Sequence, residues 1–452
     1  MLASALLTGT MRGATAQVDA PQPAGDIDEL ISQFSPPSMS RRSLREGPVR
    51  DYQGLPLFGA MLYPSLYVGG LYDDNVLQAP YNRIAQLGVK LRPDLKADYD
   101  TGAHRTILFS DGDFNIFPGD SYANLVNSRF GFGHLWEADR DLVFKFGGDY
   151  GLGNAVFANG LVTTPTGALA NIIAPQRYSI FGGYGSALKT FDKYFLNLSG
   201  RAYKTEYGDL STTSGSLAQG YRDNLATDGS LRAGYAFSRS LYSFVEASGN
   251  ARTFDSGLFA TTGLQAASLG VPGAVGVNYI NYDSRGFRVI AGVGSDRISL
   301  FKGEVYGGFQ RQFYDYSPFG SPSSAVYGGK ISWFPTRDWT LSLKLDEIYQ
   351  DLALGTSQNA FGSPAFETSL TANIRYDLSR SASLTLTGGW LDERYIFESR
   401  HDTRFTAGAV ATYELTRNLQ AEFDYNLLLV ESSAPGGSLT RNQFSLGVVY
   451  KY

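Results

Sequence analysis

The amino-acid sequence predicts an all-β fold: an up-and-down antiparallel β-barrel that spans a membrane with about eighteen strands. Three observations predict it. Segments of ten or more residues alternate apolar and polar side chains, short polar turns separate these segments in pairs, and the chain ends on an alternating segment that finishes with Tyr452. Because a tilted membrane β-strand needs about 9 to 11 residues, these segments are long enough to cross a bilayer.

The N-terminal residues predict export. Leu2 to Leu7 is apolar, and Ala14-Thr15-Ala16 has the small-x-small pattern of a signal-peptidase site, which predicts a signal peptide over residues 1–16. Arg12 follows the apolar run, whereas the positive charge of a leader usually precedes it, so a start codon further upstream is one interpretation and a disordered tail is another. Residues 17–56 are rich in Pro and Arg, which predicts a flexible periplasmic linker.

The barrel itself is predicted over residues 57–452. One polar turn is expected near residues 98–102, and seven more follow at intervals of roughly forty to sixty residues. These seven are Asp139-Arg140-Asp141, Phe191-Asp192-Lys193, Ser238-Arg239-Ser240, Asp296-Arg297-Ile298, Thr336-Arg337-Asp338, Ser379-Arg380-Ser381 and Thr416-Arg417-Asn418. Eight periplasmic turns, with both termini at the same end, give eighteen strands. Sixteen is the alternative, because the first two hairpins are the least regular.

The alternation separates a lipid face from a polar face most clearly near the C-terminus. From Leu419 to Leu429 every odd position is apolar, and the even positions begin with Gln420 and Glu422. A soluble β-sandwich would also alternate, but its strands usually have about 5 or 6 residues. So many long apolar faces, with few helical segments to cover them, favour lipid as their solvent.

Composition excludes several functional classes. The chain has 52 Gly, 29 Tyr and 29 Phe among 452 residues, which fits strands with aromatic girdles at the membrane interfaces. It has no Cys, which excludes disulfides and thiolate metal sites, and neither a cofactor nor a metal is expected. The formal net charge of −5, without a basic stripe, gives no support to nucleic-acid binding.

The start of the barrel carries a family resemblance. The segment Tyr67-Val68-Gly69-Gly70-Leu71-Tyr72-Asp73-Asp74-Asn75-Val76, followed by Leu91-Arg92-Pro93-Asp94-Leu95, resembles the opening of the putative β-barrel porin 2 family of proteobacterial outer membranes. The quartet from Asp73 to Val76 is its specific part. The resemblance implies a Gram-negative outer-membrane channel, and some members of the family look like components of exopolysaccharide export. It carries over no catalytic or ligand-binding residues.

The polar set of each strand is expected to face the lumen. A barrel of sixteen to eighteen strands is wide enough to leave an aqueous channel, and inward charges would select solutes by charge and size. Each charge could instead pair with a neighbour and stiffen the wall. The pore-lining candidates are Arg232, Arg288, Lys302, Glu304, Lys344, Asp346, Arg375, Arg404, Glu422, Asp424 and Arg441.

The predicted function is a porin-like channel that passes hydrophilic solutes or an exported exopolysaccharide. A plugged structural or adhesive barrel is one alternative. A lipid-modifying barrel enzyme is another, which would use His401 between Ser399 and Asp402, but no enzymatic activity is expected. Two apolar loops, 154–175 and 254–282, are candidates for folding into the lumen as a constriction or for packing onto the barrel rim. Expected partners are outer-membrane lipid, lipopolysaccharide and the barrel-assembly machinery, with periplasmic polysaccharide-export components and a second copy of the chain as further candidates.

Overall fold

Eighteen long antiparallel strands form the wall of a closed β-barrel, as the sequence predicts. The computed structural model describes residues 54–155, 161–163, 169–238, 240–255, 283–298, 300–315, 320–353, 363–396, 399–433 and 437–452. The predicted signal peptide and nearly all of the predicted linker therefore lie outside the described residues. The wall strands are β1 Ala60–Asp73, β2 Gln86–Asp100, β3 His104–Ile116, β4 Leu125–Asp139, β5 Leu142–Ala155, β6 Gln176–Phe191, β7 Tyr194–Tyr207, β8 Asn224–Ala236, β9 Leu241–Phe254, β10 Ser284–Ile298, β11 Phe301–Tyr314, β12 Ser323–Trp333, β13 Trp339–Ala353, β14 Ser363–Asp377, β15 Ala382–Tyr395, β16 His401–Glu414, β17 Leu419–Ser432 and β18 Leu439–Lys451.

Short secondary structure surrounds the wall. Leu55–Leu57 pairs with the start of β1 through a turn in which Gly59 has a φ of 85°, a conformation that suits glycine. Two small hairpins lie in the connections, one joining Leu161–Thr163 to Leu169–Asn171 and one joining Leu210–Thr212 to Gly215–Leu217. Single 3₁₀ turns span Ser121–Ala123 and Gly220–Arg222.

The described part of the chain contains no helix that is long and apolar enough to span a membrane.

Short turns and longer loops alternate along the chain. The eight connections that follow the even-numbered strands β2 to β16 have two to five residues, and the other connections have five to twenty-nine, so the barrel has a short-turn end and a long-loop end. All eight predicted turn regions are present. The prediction for Asp296-Arg297-Ile298 is wrong in detail, because β10 continues to Ile298 and only two residues separate it from Phe301, the first residue of β11. A register irregularity between Ser295 and Ile298 lengthens the strand there.

Large apolar side chains cover the outer face. Leu66, Leu198 and Leu446 are among the many that remain exposed on the strands. Aromatic pairs gather near the short-turn end, where Trp339 stacks on Tyr376 at a ring-centroid distance of 4.3 Å and Phe301 stacks on Trp333 at 5.8 Å. An apolar band with an aromatic girdle is typical of a barrel wall that meets lipid.

A buried polar cluster joins the first strand to the last at the long-loop end. β1 pairs with β18 over nine residue pairs, from Ser65↔Lys451 to Asp73↔Gln443. Asp73 is 0% exposed and accepts from Arg441 Nε and Nη2 at 2.9 and 2.5 Å and from Gln443 at 3.2 Å. Next to it, Asp74 accepts from the backbone N–H and the side-chain amide of Asn442 at 2.6 and 2.7 Å. We call this group the closure cluster.

The rest of the Asp73–Val76 quartet extends the closure cluster into the β1–β2 loop. The Asn75 amide donates to the carbonyl oxygens of Ala79 and Thr440, at 2.8 and 3.1 Å. Val76 packs with Leu71, Phe117 and Ala123 in a buried apolar cluster. Each residue of the Asp73–Val76 quartet therefore holds the barrel seam or the loop above it.

The interstrand pairing of the wall is shortest between β12 and β13. Their ladder has six residue pairs, Gly328↔Asp346 to Trp333↔Leu341, whereas β11 and β12 share eleven. On the long-loop side of Asp346, the strand register directs the side chains of Glu347 and Thr368 outward. These two residues are nevertheless only 3% and 5% exposed. Tyr314, on the inner face of β11, contacts Tyr349 on the outer face of β13. The upper part of β13 therefore lies on the lumen side of β11.

Removal of the carboxylate at the seam should destabilise the barrel strongly. Asp73→Ala leaves the Arg441 guanidinium buried without its counter-ion, which we expect to cost about 3–5 kcal/mol of unfolding free energy. The matched control is Asp228→Ala, because the Asp228–Arg201 pair keeps 33% and 34% of its side chains exposed and should cost at most about 1 kcal/mol. Urea unfolding in lipid vesicles, followed by tryptophan fluorescence, measures both. Equal losses would contradict a special role for the closure cluster.

Candidate functional site

Ion pairs connect wall strands that are not neighbours. Arg232 on β8 donates to Glu304 on β11 at 3.2 Å, and Arg288 on β10 donates to Asp346 on β13 at 3.4 Å. Strands in a sheet lie about 4.8 Å apart, so each pair spans roughly 14 Å of wall. Side chains converge over such a distance on a concave surface and diverge on a convex one. These contacts therefore identify the polar face of the strands as the inner face of the barrel.

The inner face of β8 to β13 carries a braced network. Arg232 Nε donates to Glu246 at 2.6 Å, and its guanidinium lies 4.2 Å from the ring centroid of Phe244. Tyr242 Oη donates to Glu304 at 3.3 Å, so the carboxylate of Glu304 has two donors. Asp346 similarly accepts from Arg288 and from Tyr306 Oη, the latter at 2.7 Å.

A second network lies near the seam, on β17, β1, β2 and β3. Arg92 pairs with Glu422 and stacks over the ring of Tyr67 at 4.3 Å. Lys90 lies 3.8 Å from Asp113 and 3.9 Å from Asp424. The side chains of Lys90 and Asp424 are below 10% exposed, so this sector of the interior is tightly packed.

The structure places all eleven pore-lining candidates on this inner face. They fall into three groups according to their contacts. Some belong to the two networks: Arg232, Arg288, Glu304, Asp346, Glu422 and Asp424. Arg441 is in the closure cluster, Arg404 pairs with Glu393 at 2.9 Å, and Arg375 pairs with Asp377 at 3.2 Å. Lys302 and Lys344 are exposed within the barrel. An interaction with a neighbour is therefore common among the candidates. The stiffening of the wall by these interactions stays a prediction.

The sequence reasoning missed several partners of these residues. Lys90 and Arg92 were detectable, because every even position from Lys90 to Asp100 is charged. Asp73 shares the odd parity of Tyr67 and Leu71, but the sequence marks it as part of a motif and gives no sign of its distant partner. The alternation of apolar and polar residues does not assign Glu393 to either face of its strand, because both of its neighbours in sequence are charged as well.

The proposed Ser-His-Asp cluster around His401 is absent from the described residues. His401 Nε2 contacts Asp392, on the neighbouring strand β15, at 2.5 Å. Asp402 pairs with Arg400 and accepts from Ser432 Oγ at 2.5 Å. The physical reason is strand alternation, which directs the side chains of two adjacent residues to opposite faces. In the part of the chain that the structure covers, no group of three or more His, Cys, Asp or Glu side chains is placed to hold a metal ion.

Two loops join at the long-loop end above β5 to β8. Ile172 forms a bridge with Thr212, and Arg222, which is 3% exposed, donates to Gln176 at 2.8 Å and lies 4.0 Å over the Tyr207 ring. Part of the 154–175 loop is therefore held by the 208–223 loop. The 254–282 loop lies almost wholly outside the described residues, so its predicted inward fold stays a prediction.

Asp223 anchors the base of the 208–223 loop and is electrostatically strained. Its Oδ1 accepts from the backbone N–H of Tyr207 at 2.7 Å. Burial raises the pKa of Asp223, the charges of Asp255 and Glu206 raise it further, and the Tyr207 N–H and Lys204 oppose this. The charged form is thus disfavoured in the folded loop.

Comparison with known proteins gives a family and a set of distant folds. The family model described as putative beta-barrel porin 2 matches residues 51–452, which confirms the resemblance seen in the sequence. The sequence matches no curated protein.

Three solved structures illustrate the distant folds. The siderophore receptor PirA from Acinetobacter baumannii is 7% identical, with a TM-score of 0.44 and coverage of 86% of this chain and 80% of that one. The outer membrane protein opdK from Pseudomonas aeruginosa is 11% identical, with a TM-score of 0.39 and coverage of 86% and 99%. A mutant of the ferric enterobactin receptor PfeA from Pseudomonas aeruginosa, in complex with enterobactin, is 9% identical, with a TM-score of 0.44 and coverage of 90% and 85%. Likenesses at this level carry no argument about what this chain transports.

Loss of the central cation of the wall network should weaken the barrel. Arg232→Met leaves the carboxylates of Glu246 and Glu304 without their shared donor, and we expect a loss of about 1–3 kcal/mol in unfolding free energy. Arg311→Met is the control, because Arg311 is exposed on the outer face and should change stability by less than about 0.5 kcal/mol. The same urea titration measures both, and a neutral Arg232→Met would show that the network does not brace the wall.

Acidification should tighten the 208–223 loop. The folded pKa of Asp223 is raised, so its stabilising contribution is present below its usual pKa of about 3.9 and is lost as pH rises through the raised value. Asp223→Asn keeps an oxygen acceptor for Tyr207 N–H without the charge and should remove this dependence. Hydrogen exchange at the Tyr207 amide between about pH 3 and 7, corrected for intrinsic exchange, measures it. Asp209→Asn, at an exposed position of the same loop, should behave as wild type. A pH profile that Asp223→Asn leaves unchanged would contradict the assignment.

Proposed function

Since the chain belongs to the putative β-barrel porin 2 family, we propose that it is an outer-membrane channel through which small hydrophilic solutes diffuse. The family assignment implies an outer-membrane location. We further propose that its outer apolar band contacts outer-membrane lipid. An aqueous path is compatible with the strand number, because barrels of 16 to 18 strands can leave a channel while about eight strands are filled by their own side chains.

The observation that carries this proposal is the solvent exposure of charged side chains on the inner face. Arg201 and Asp228 keep about one third of their side-chain surface accessible although they form an ion pair inside the barrel. The same inner face carries three exposed lysines, Lys302, Lys330 and Lys344. An interior without water would leave such charges desolvated at a cost of several kcal/mol each. Water beside the β7–β13 wall is therefore the simplest explanation.

The side chains suited to binding a polysaccharide are mostly engaged by the wall. Tyr306 donates to Asp346, Gln310 donates to Ser324 at 2.9 Å, and Gln312 donates to Asn250 and Ser284 at 3.0 Å each. Gln420 accepts from Lys451 at 2.5 Å. Groups occupied in this way offer few free donors to sugar hydroxyls. This favours small solutes over an exported polymer as the cargo.

The proposed channel has no catalytic role. His401 contacts an acid on the neighbouring strand, and Asp402 is held by Arg400 and Ser432, so the residues that suggested a hydrolase do not act together. A plugged structural barrel is the competing function, and the conductance of the protein distinguishes the two.

Cysteine accessibility in single channels provides a sharp test, because the natural chain contains no Cys. Ser230 lies on the inner face of β8, where it bonds Ser199 Oγ at 2.7 Å, and Leu231 is the next residue on the outer face, 46% exposed. A bulky, charged, water-soluble thiol reagent should reduce the conductance of Ser230→Cys channels in a planar bilayer by roughly half or more. It should leave Leu231→Cys channels unchanged.

Two results would contradict the proposal. A wild-type barrel that gives no current steps would indicate a plugged lumen. Current steps that the reagent blocks equally in the Ser230→Cys and Leu231→Cys channels would show that the current does not follow the inner face.

A further inference from the structure

We propose that two arginines on the outer face of the barrel, Arg285 on β10 and Arg311 on β11, bind the phosphate groups of a phosphorylated glycolipid of the membrane. The acyl chains of the same lipid lie against Phe287, Phe309 and Phe313. We call these five residues the arginine–phenylalanine patch. The inference goes beyond the proposed channel function, because it concerns the lipid face of the wall and holds whether or not the barrel conducts.

The strand register places the two arginines diagonally on one outer surface. Arg285 lies opposite Phe313 in the β10–β11 ladder, and Phe287 lies opposite Arg311. Both arginines are exposed, and they share the parity of Phe287 and Phe309, which are 40% and 45% exposed on the outer face. Diagonal neighbours in an antiparallel pair are about 7–8 Å apart. Two extended guanidinium groups at this spacing can reach the phosphate oxygens of one lipid headgroup.

The patch lies at the edge of the apolar band that is nearer to the long-loop end. Arg311 follows Phe301, whose ring stacks on Trp333 in the aromatic girdle, by ten residues on β11. At about 3.4 Å per residue and a strand tilt of about 40°, this is a height of about 26 Å, close to the roughly 25 Å of an outer-membrane apolar band. The outward positions between them hold only Gly, Val and Phe. The guanidinium groups therefore lie at the level of the lipid headgroups.

No acid of the described chain neutralises the two arginines. Across the described ranges, no Asp or Glu oxygen lies within 4.0 Å of the guanidinium of Arg285 or Arg311. Asp283, two residues before Arg285, accepts from a backbone N–H at 2.7 Å. By contrast, Lys204 on the outer face of β7, at the same end of the barrel, lies 2.8 Å from Asp255. The patch thus presents two positive charges to an anion from outside the chain.

The aromatic rings hold one guanidinium and provide an apolar surface below both. The Arg311 guanidinium carbon lies 5.0 Å from the ring centroid of Phe313. The Phe287 ring lies 6.2 Å from that of Phe309 and 6.3 Å from that of Phe313. A guanidinium presents planar, paired donors that match phosphate oxygens. A free phosphate ion would use only the arginines, whereas a phosphorylated lipid uses the arginines and the rings together.

The orientation of the barrel selects the class of lipid. In outer-membrane barrels the short turns face the periplasm and the long loops face outward. The patch is at the long-loop end and therefore meets the outer leaflet, where the expected lipid is lipopolysaccharide. Its lipid A anchor carries phosphates on a sugar headgroup above several acyl chains, which is the chemistry that the patch presents.

Lipid titration of the folded, detergent-solubilised protein, followed by native mass spectrometry, tests the inference. The probe is lipid A with two phosphates. The Arg285→Gln/Arg311→Gln double variant should bind it roughly fivefold or more weakly than wild type, because the charge-assisted hydrogen bonds to phosphate are lost. Lipid A without phosphates should bind wild type as weakly as intact lipid A binds the variant. Inorganic phosphate at the concentration of the lipid should not compete.

The matched control is Arg177→Gln/Arg394→Gln. It removes two exposed outer-face arginines at the same end of the barrel, but from the separate strands β6 and β15. Its affinity for lipid A should stay within about twofold of wild type. An equal loss in both double variants would show that lipid A follows the total surface charge, and would overturn the patch. Binding that ignores the phosphates of lipid A, or that inorganic phosphate abolishes, would overturn it too.

Chemical labelling of the wild-type protein tests the patch without any substitution. A dicarbonyl reagent modifies accessible guanidinium groups, and mass spectrometry reports the rate at each arginine. Lipid A should slow the labelling of Arg285 and Arg311 and leave that of Arg177 nearly unchanged. Equal rates with and without lipid A at all three positions would overturn the patch. Neither this readout nor the titration depends on conductance, so a failure of the proposed channel and a failure of the patch are separate results.

Discussion

The closure of the wall between β1 and β18 is the constraint on which the rest of the structure depends. A β-sheet in lipid cannot leave an edge unpaired, because each unsatisfied backbone group would cost several kcal/mol. Asp73 and Arg441 join this seam across 368 residues of sequence. Contacts of such high sequence separation form late and slowly, so the sheet keeps two open edges until nearly the whole chain is in place. The Asp73–Val76 motif is thus best understood as a device for completing the barrel.

The interior divides into two sectors with different physical roles. Around the seam, charged residues such as Lys90, Asp424 and Arg441 are buried and ion-paired, so this sector is closely packed. Along β7 to β13, ion pairs such as Arg201–Asp228 stay partly exposed and contribute less to stability. A channel benefits from this division, because rigidity and hydration are assigned to different parts of the wall.

The sequence predicts the architecture well because strand alternation and turn chemistry are local. The eighteen strands, the turn regions and the inward parity of residues such as Arg232 and Glu422 all follow from a period of two. Pairing across several strands does not, since nothing in the local pattern brings Arg232 to Glu304 or Lys90 to Asp424. The role of Asp73 was likewise hidden, because its partner lies at the other end of the chain. The predicted position of the turn after β10 is wrong because the strand register is irregular there, and alternation alone does not reveal such an irregularity.

The short β12–β13 ladder gives the ring an uneven stiffness. Six residue pairs make this the section of the wall with the fewest interstrand pairings. Local opening is easiest where a sheet has few such contacts, so lateral pressure from the surrounding bilayer would deform this section first. The seam, with nine pairs and the buried Asp73–Arg441 ion pair, would resist the same pressure. The cross-section of the lumen would then vary on the β12–β13 side of the ring while the seam side keeps its shape.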